Sequence, residues 1–135
     1  MKLVLDTNVL IAAFIARGVC HELLEHCAIN HEIILSSFIL DELREKLVQK
    51  FAFTSHEAEE VISLLKSRAV LAPPQQLKES MCRDPDDDHI LGTALAGECD
   101  CIVTGDRDLL DLKTVLGVQI VNPSEFWAIE DGVVG

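Results

Sequence analysis

The fold class predicted by the sequence is a single α/β domain, a parallel β-sheet flanked by helices. Three observations carry it. Short apolar, strand-like runs alternate with stretches whose apolar residues recur at helical spacing. The strand-like runs near residues 5, 35 and 103 stop abruptly in polar residues of the kind that cap helices. The chain has 135 residues, 49% of them hydrophobic; this supports one domain with its own core and excludes a disordered chain. Parallel strands joined by helices need right-handed crossovers, which gather the strand ends on one edge of the sheet. In open α/β sheets that edge binds ligands.

The elements follow in order. Residues 2–6 (Lys-Leu-Val-Leu-Asp) read as a strand, and residues 8–15 as a short buried helix capped by Thr7 or Asn8. Arg17-Gly18 breaks it. Cys20, Leu23, Leu24 and Cys27 are spaced i, i+3, i+4, i+7, which predicts a helix over 19–29 and makes both cysteines core residues. Glu32–Leu35 is the second strand, with Ser36-Ser37 as the next cap. The helix over 38–51 carries an apolar stripe of Ile39, Leu40, Leu43, Leu47 and Phe51; Asp41 and Glu45 lie opposite it and Glu42 lies on its border. Thr54 to Glu57 is a capping box for a helix that turns Ala58, Val61, Ile62 and Leu65 inward and ends near Arg68.

Ala69-Val70-Leu71 reads as a short edge strand stopped by Pro73-Pro74. An irregular connection covers 72–87, and a helix over 88–98 turns Ile90, Leu91, Ala94 and Leu95 inward, with small residues such as Gly92 for close packing. Cys101–Val103 is a strand, Asp108–Leu112 a short helix, Gln119–Val121 a last strand, and Asn122-Pro123-Ser124 opens a final helix through Phe126 and Trp127. Residues 1–130 are expected to form the domain and 131–135 a loose tail. The sequence holds no internal repeat and no low-complexity segment.

The formal net charge is −12 and the pI about 4.6, which excludes a protein that grips nucleic acid through a broad basic surface. It leaves open an enzyme that meets nucleic acid through bound cations. Five cysteines, an odd number with no CxxC pair, indicate neither a disulfide framework nor a zinc knuckle, and fit a reducing cytoplasmic setting. Asp6 and Asn8 interrupt the apolar N-terminal run, which argues against a signal peptide. No apolar run approaches the ~18 residues of a membrane span.

Four acids share one description: Asp6, Glu42, Asp88 and Asp106 each sit where a strand ends or a helix starts, beside apolar positions. Asp108 is a fifth. Each alone has an ordinary explanation, as a turn residue, a surface acid or an N-cap. Together they would repel and some would take up protons, unless a hard divalent cation such as Mg²⁺ or Mn²⁺ sits between them. Such a cation polarises a phosphoryl oxygen and activates water. Residues 79–88 supply more acids than one site needs: Glu79, Asp84, Asp86, Asp87 and Asp88 against Arg83. Asp88 is chosen because it opens the inward stripe Leu91–Leu95; Asp87 points near the core face and is assigned to cap the helix, and a share for Asp84, Asp86 or Asp87 stays open.

The runs VLDTNVL, SSFILDEL, DPDDDHILGTALAG and CIVTGDRDLL resemble, in combination and from Met1 to about Trp127, the PIN (PilT N-terminal) domain, most closely the single-domain PIN proteins that are toxin components of toxin–antitoxin modules. The resemblance implies a Rossmann-like, PIN-like fold. It implies that Asp6, Glu42, Asp88 and Asp106 are the catalytic, metal-binding acids, with Asp108 auxiliary, Thr7 and Asn8 orienting Asp6, and Thr104 shaping the site. It further implies Mg²⁺- or Mn²⁺-dependent cleavage of single-stranded RNA, an antitoxin partner and a tendency to form a homodimer.

Two rivals remain. One is a haloacid-dehalogenase-like phosphatase with Asp6 as nucleophile; its DxDx[TV] pattern is broken here by Asn8. The other is a non-catalytic PIN-like binding module. Arg44, Lys46, Lys50, Arg83 and Arg107 are the basic residues available to touch RNA phosphates, at best a local rim, and His89 is expected on the surface.

Overall fold

The computed structural model describes residues 1–16, 18–77, 80, 82 and 84–130. The expected break at Arg17, the roles of Glu79 and Arg83, and the tail 131–135 lie outside the described residues.

Strands β1 (Lys2–Leu5), β2 (Glu32–Leu35), β3 (Ala69–Leu71), β4 (Cys101–Val103), β5 (Thr114–Val115) and β6 (Val118–Val121) form one sheet in the order β3-β2-β1-β4-β6-β5. All neighbours pair parallel except β5 and β6. The helices are α1 (Thr7–Ile15), α2 (Val19–Asn30), α3 (Ser37–Phe51), α4 (Ser55–Arg68), α5 (Pro85–Ala96), α6 (Arg107–Leu110) and α7 (Pro123–Glu130). After β1 the chain builds outward through β2 and β3, then returns to place β4 on the other side of β1. The order reverses between β1 and β4, and this is the crevice where such sheets receive ligands.

Leu3, Val4, Leu5, Ile33, Ile34, Leu35, Ile102 and Val103 are almost wholly buried, as strands covered on both faces must be. The helices close over them with the apolar faces read from sequence. Ile39, Leu40, Leu43 and Leu47 of α3 are buried, and so are Ala58, Val61, Ile62 and Leu65 of α4, which begins with the full Thr54–Glu57 capping box. Phe51, expected on the stripe, is instead 40% exposed in the last turn of α3, where Ala52 adopts a left-handed cap and turns the chain away. Cys27 is buried, and Cys20 packs half-buried against the core.

The sheet departs from a wholly parallel one at its edge. β5 and β6 form an antiparallel hairpin closed by Leu116 and Gly117, both at positive φ (51° and 84°), the backbone that a tight two-residue hairpin requires. The sequence concealed it because β5 is two residues long and its turn carries Leu-Gly instead of the usual Asn-Gly. Close packing at Gly92 is severe: a Cβ there would lie 2.3 Å from the Gln75 carbonyl oxygen, and the Gln75 amide donates to the Gly92 carbonyl at 2.9 Å. The segment after β3 is thereby laid directly on α5.

Candidate active site

The site is set by register. Leu5 pairs with Val103 across β1 and β4, so the next residues, Asp6 and Thr104, emerge side by side. The Asp6 amide continues the ladder by donating to Val103 O at 3.0 Å. Asp6, not Thr7 or Asn8, is the N-cap of α1: its Oδ1 accepts from the Thr7 amide at 2.7 Å. Its Oδ2 accepts from the Thr104 hydroxyl at 2.6 Å. The Thr104 oxygen in turn accepts from the Asp106 amide at 3.0 Å, and Asp106 Oδ1 caps α6 through the Asp108 amide at 2.9 Å. Two strand ends are thus stapled together by one buried threonine.

Asp6 is only 6% exposed. Burial pushes its carboxyl above the usual range; the Thr104 and Thr7 hydrogen bonds oppose this, and the charges of Glu42 and Asp106 add to it. Glu42, half-buried on α3, therefore faces Asp6 electrostatically, as its border position on the helix anticipates.

The fourth wall differs from the sequence expectation. The helix begins three residues earlier, at Pro85, with Asp84 as N-cap accepting from the Asp86 amide. Asp87 is then the inward acid. It is buried, its Oδ2 has no partner among the described residues, and its carboxyl is pushed up to about 7, first by burial, then by the charges of Asp106, Asp6 and Asp84 and by a hydrogen bond with Asp106. Asp88, assigned to the cluster from sequence, is half-buried and its oxygens are taken up by Ser80 Oγ at 2.6 Å and the Cys82 amide at 3.0 Å. The correction is one of helical phase, since neighbouring residues point ~100° apart. Asp87, Ile90, Leu91 and Ala94 are spaced i, i+3, i+4, i+7 and all are buried. The Asp84-Pro85 pair, an N-cap followed by proline at the first helical position, was the signal for this phase.

The structure therefore brings together Asp6, Glu42 and Asp106, adds Asp87, and leaves Asp108 exposed on α6. Asn8 is exposed. Sequence reasoning missed Thr93, which is fully buried; its hydroxyl lies 2.9 Å from Ser36 Oγ and 2.8 Å from His89 O. Ser36 caps α3 through the Ile39 amide, so Thr93 locks α5 against the start of the helix that carries Glu42. His89 is exposed, stacked on Phe38 at 4.2 Å. Arg44 is committed to ion pairs with Asp41 and Glu59; Lys46 is half-buried, while Lys50 and Arg107 are exposed.

The donor set suits a hard divalent ion. It is all carboxylate, it is partly buried, and one of its oxygens lacks a partner where an unpaired polar atom is costly. Glu42 and Asp106 raise the proton affinity of Asp6, and Asp106 and Asp6 raise that of Asp87; a cation would relieve that repulsion.

The strand order and the acids at the ends of β1 and β4 define an α/β domain whose crevice lies at the switch point of a mostly parallel sheet. Residues 2–108 match the family model described as PIN domain, and the chain belongs to that family. PIN domains are generally nucleases, and they typically use divalent metal ions. Solved structures agree on the fold. Rickettsia felis VapBC2, bound to a DNA fragment from its promoter, matches at 18% identity with a TM-score of 0.64, covering 90% of this chain and 98% of that one. VapBC-1 from nontypeable Haemophilus influenzae matches at 17% identity with a TM-score of 0.61, covering 92% and 99%. DNA-bound VapBC from Salmonella typhimurium matches at 18% identity with a TM-score of 0.63, covering 91% and 98%. No curated protein matches the chain. Among the described residues no single helix is long and apolar enough to cross a membrane.

Proposed function

We propose that this chain is a divalent-metal-dependent endoribonuclease that hydrolyses phosphodiester bonds of single-stranded RNA, and that it is the cytoplasmic toxin of a toxin–antitoxin module. The observation that carries the reading is the convergence of Asp6, Glu42, Asp87 and Asp106 at the β1–β4 crevice, with Asp87 Oδ2 buried and unpartnered. These four carboxylates would hold Mg²⁺ or Mn²⁺, with Asp108 auxiliary. When bound, such an ion polarises a phosphoryl oxygen and acidifies water.

The chain's own residues supply the rest. Thr104 and the Thr7 amide fix both oxygens of Asp6, so its carboxylate enters the site in one orientation. Asp87, whose carboxyl is pushed up to about 7, keeps a proton near neutrality when no ion neutralises the cluster and would release it as the cluster gains positive charge. Exposed Arg107, next to Asp106, would meet an RNA phosphate. With so acidic a chain, few such contacts form and the ion carries much of the attraction.

The partner is an antitoxin, and the chain forms a homodimer. Support comes from the VapBC neighbours and from FitAB bound to an IR36 DNA fragment, which matches at 17% identity with a TM-score of 0.61, together with the family resemblance. Phosphatase chemistry on Asp6 is disfavoured because Asn8 has no acidic proton to give a leaving group.

The test compares wild type with Asp6→Asn on a single-stranded RNA, with Mn²⁺ and with EDTA. Cleavage by wild type that needs Mn²⁺ and is lost in the variant supports the reading. Equal cleavage in EDTA, or an undiminished variant, overturns it, and a purified partner-free protein inert with Mn²⁺ is a binding module.

A further inference from the structure

At the opposite edge of the sheet from the acids, the end of α7 meets the end of α2. We propose that His26, His31 and Glu130 form a second metal site that takes a borderline transition ion of the Zn²⁺ class. One ligand atom from each of the three lies within 4.8 Å of the others. His26 Nε2 is 2.6 Å from Glu130 Oε1, and His31 Nε2 is 2.5 Å from Oε2. Both imidazoles thus aim the same nitrogen at one carboxylate, across nearly a hundred residues of sequence.

Their surroundings fix that aim. The far nitrogen of His26 meets Asn30 Nδ2 at 3.2 Å, and that of His31 meets the Met1 amine at 3.0 Å. Trp127 packs on the His26 ring and Phe126 stands edge-on to His31. The slight burial of Glu130 works against its ionisation, yet hydrogen bonds from His31 and His26 hold its carboxyl below the usual range.

Two imidazoles and a carboxylate are a donor set that Zn²⁺ accepts, at ~2.0–2.2 Å. Such an ion would set its ligand atoms roughly 3.4 Å apart, which lengthens the present nitrogen–oxygen contacts of 2.6 and 2.5 Å by under about 1 Å. In the metal-free state each Nε2 gives its hydrogen to Glu130; the ion takes the place of both hydrogens at the same centre. Each imidazole's proton then moves from Nε2 to Nδ1, where solvent water takes the place of the donors Asn30 Nδ2 and the Met1 amine and accepts it. Three protein ligands leave one position open, and the side chains are 12–27% exposed, so that position faces solvent. Mg²⁺ prefers oxygen and would stay with the acids. Filled, the site clamps α7 to α2.

The experiment titrates the full chain with Zn²⁺ alone and with Mg²⁺ alone, by calorimetry and thermal melting, in wild type, His31→Gln, Glu130→Gln and Asp6→Asn. Wild type and Asp6→Asn are expected to bind one Zn²⁺ at this site, with a melting rise of roughly 5–10 °C at a hundredfold excess over Kd. His31→Gln and Glu130→Gln are expected to lose it while keeping the Mg²⁺ response. Uptake of Zn²⁺ that survives both of those variants, or that disappears in Asp6→Asn, places the ion among the acids and overturns the proposal. Absence of Zn²⁺ uptake in wild type also overturns it and leaves the cluster a hydrogen-bonded clamp.

Discussion

Thr104 Oγ1 donates to Asp6 Oδ2 at 2.6 Å and accepts from the Asp106 amide at 3.0 Å, so one hydroxyl sets the spacing of two acids from different strands. Thr104→Val keeps the shape and removes both bonds. Stability is expected to fall by ~1–3 kcal/mol in denaturant melts, because a buried carboxylate loses its donor. RNA cleavage should drop by about tenfold or more as Asp6 loses its orientation, and Thr104→Ser should restore most of both. Normal cleavage by Thr104→Val would show that Asp6 needs no such positioning.

Asp87 and Asp88 offer the sharpest contrast. Asp87→Asn is expected to lower cleavage by roughly 10²-fold or more without harming the fold, since its carboxylate faces Asp6 and Asp106. Asp88→Ala should keep cleavage within about tenfold and lower stability by ~1–2 kcal/mol, because Asp88 ties down Ser80 and Cys82. The reverse pattern would restore Asp88 to the site.

The metal-free protein should lose stability as pH rises. Asp87 has its carboxyl raised from 3.8 to about 7 in the folded chain, so the native state binds the extra proton between those values. The stabilisation is complete below pH about 4 and gone once pH has passed through about 7. Melting midpoints in EDTA should therefore decline over that window, and Asp87→Asn should flatten the decline. A midpoint that climbs steadily from pH 5 to 7 in EDTA and is unaffected by the substitution would contradict this.

Saturating Mg²⁺ or Mn²⁺ should raise the midpoint at pH 7 or above, where the carboxylates are ionised. Asp6→Asn should blunt that rise and, by removing one charge from the cluster, raise the midpoint in EDTA. Melting curves with and without each ion check both statements.

Gly92→Ala tests the seat of α5. Its Cβ would fall 2.3 Å from the Gln75 carbonyl oxygen, a backbone atom that cannot swing aside, so a cost of ~1–3 kcal/mol is expected. Cleavage should fall with it, because α5 carries Asp87.

Much of the molecule was legible from residues alone. Strand 32–35 and strand 101–103 appear as read, the Thr54–Glu57 box is complete, and the inward faces of α3 and α4 are buried almost residue for residue. These are local properties: alternation of polar and apolar residues and the chemistry of a cap act over a few neighbours and need no knowledge of the rest of the chain. The placing of acids at strand ends and helix starts was legible for the same reason.

Tertiary structure showed which acid of the run 84–88 turns toward Asp6, although Asp84-Pro85 was a local signal of it. One residue of phase rotates a side chain by ~100°, and the phase was fixed by Asp84 and Pro85 at the helix start and by Gln75 packed on Gly92. It alone paired Thr104 with Asp6, through the parallel register of β1 and β4. It alone brought His26 and His31 to Glu130, residues that share no local pattern and meet only because α7 folds back onto α2. What sequence by itself determined is the inventory of elements and of acids at their ends; which side chains share a space was settled by packing, because contacts between distant segments arise only when the core closes.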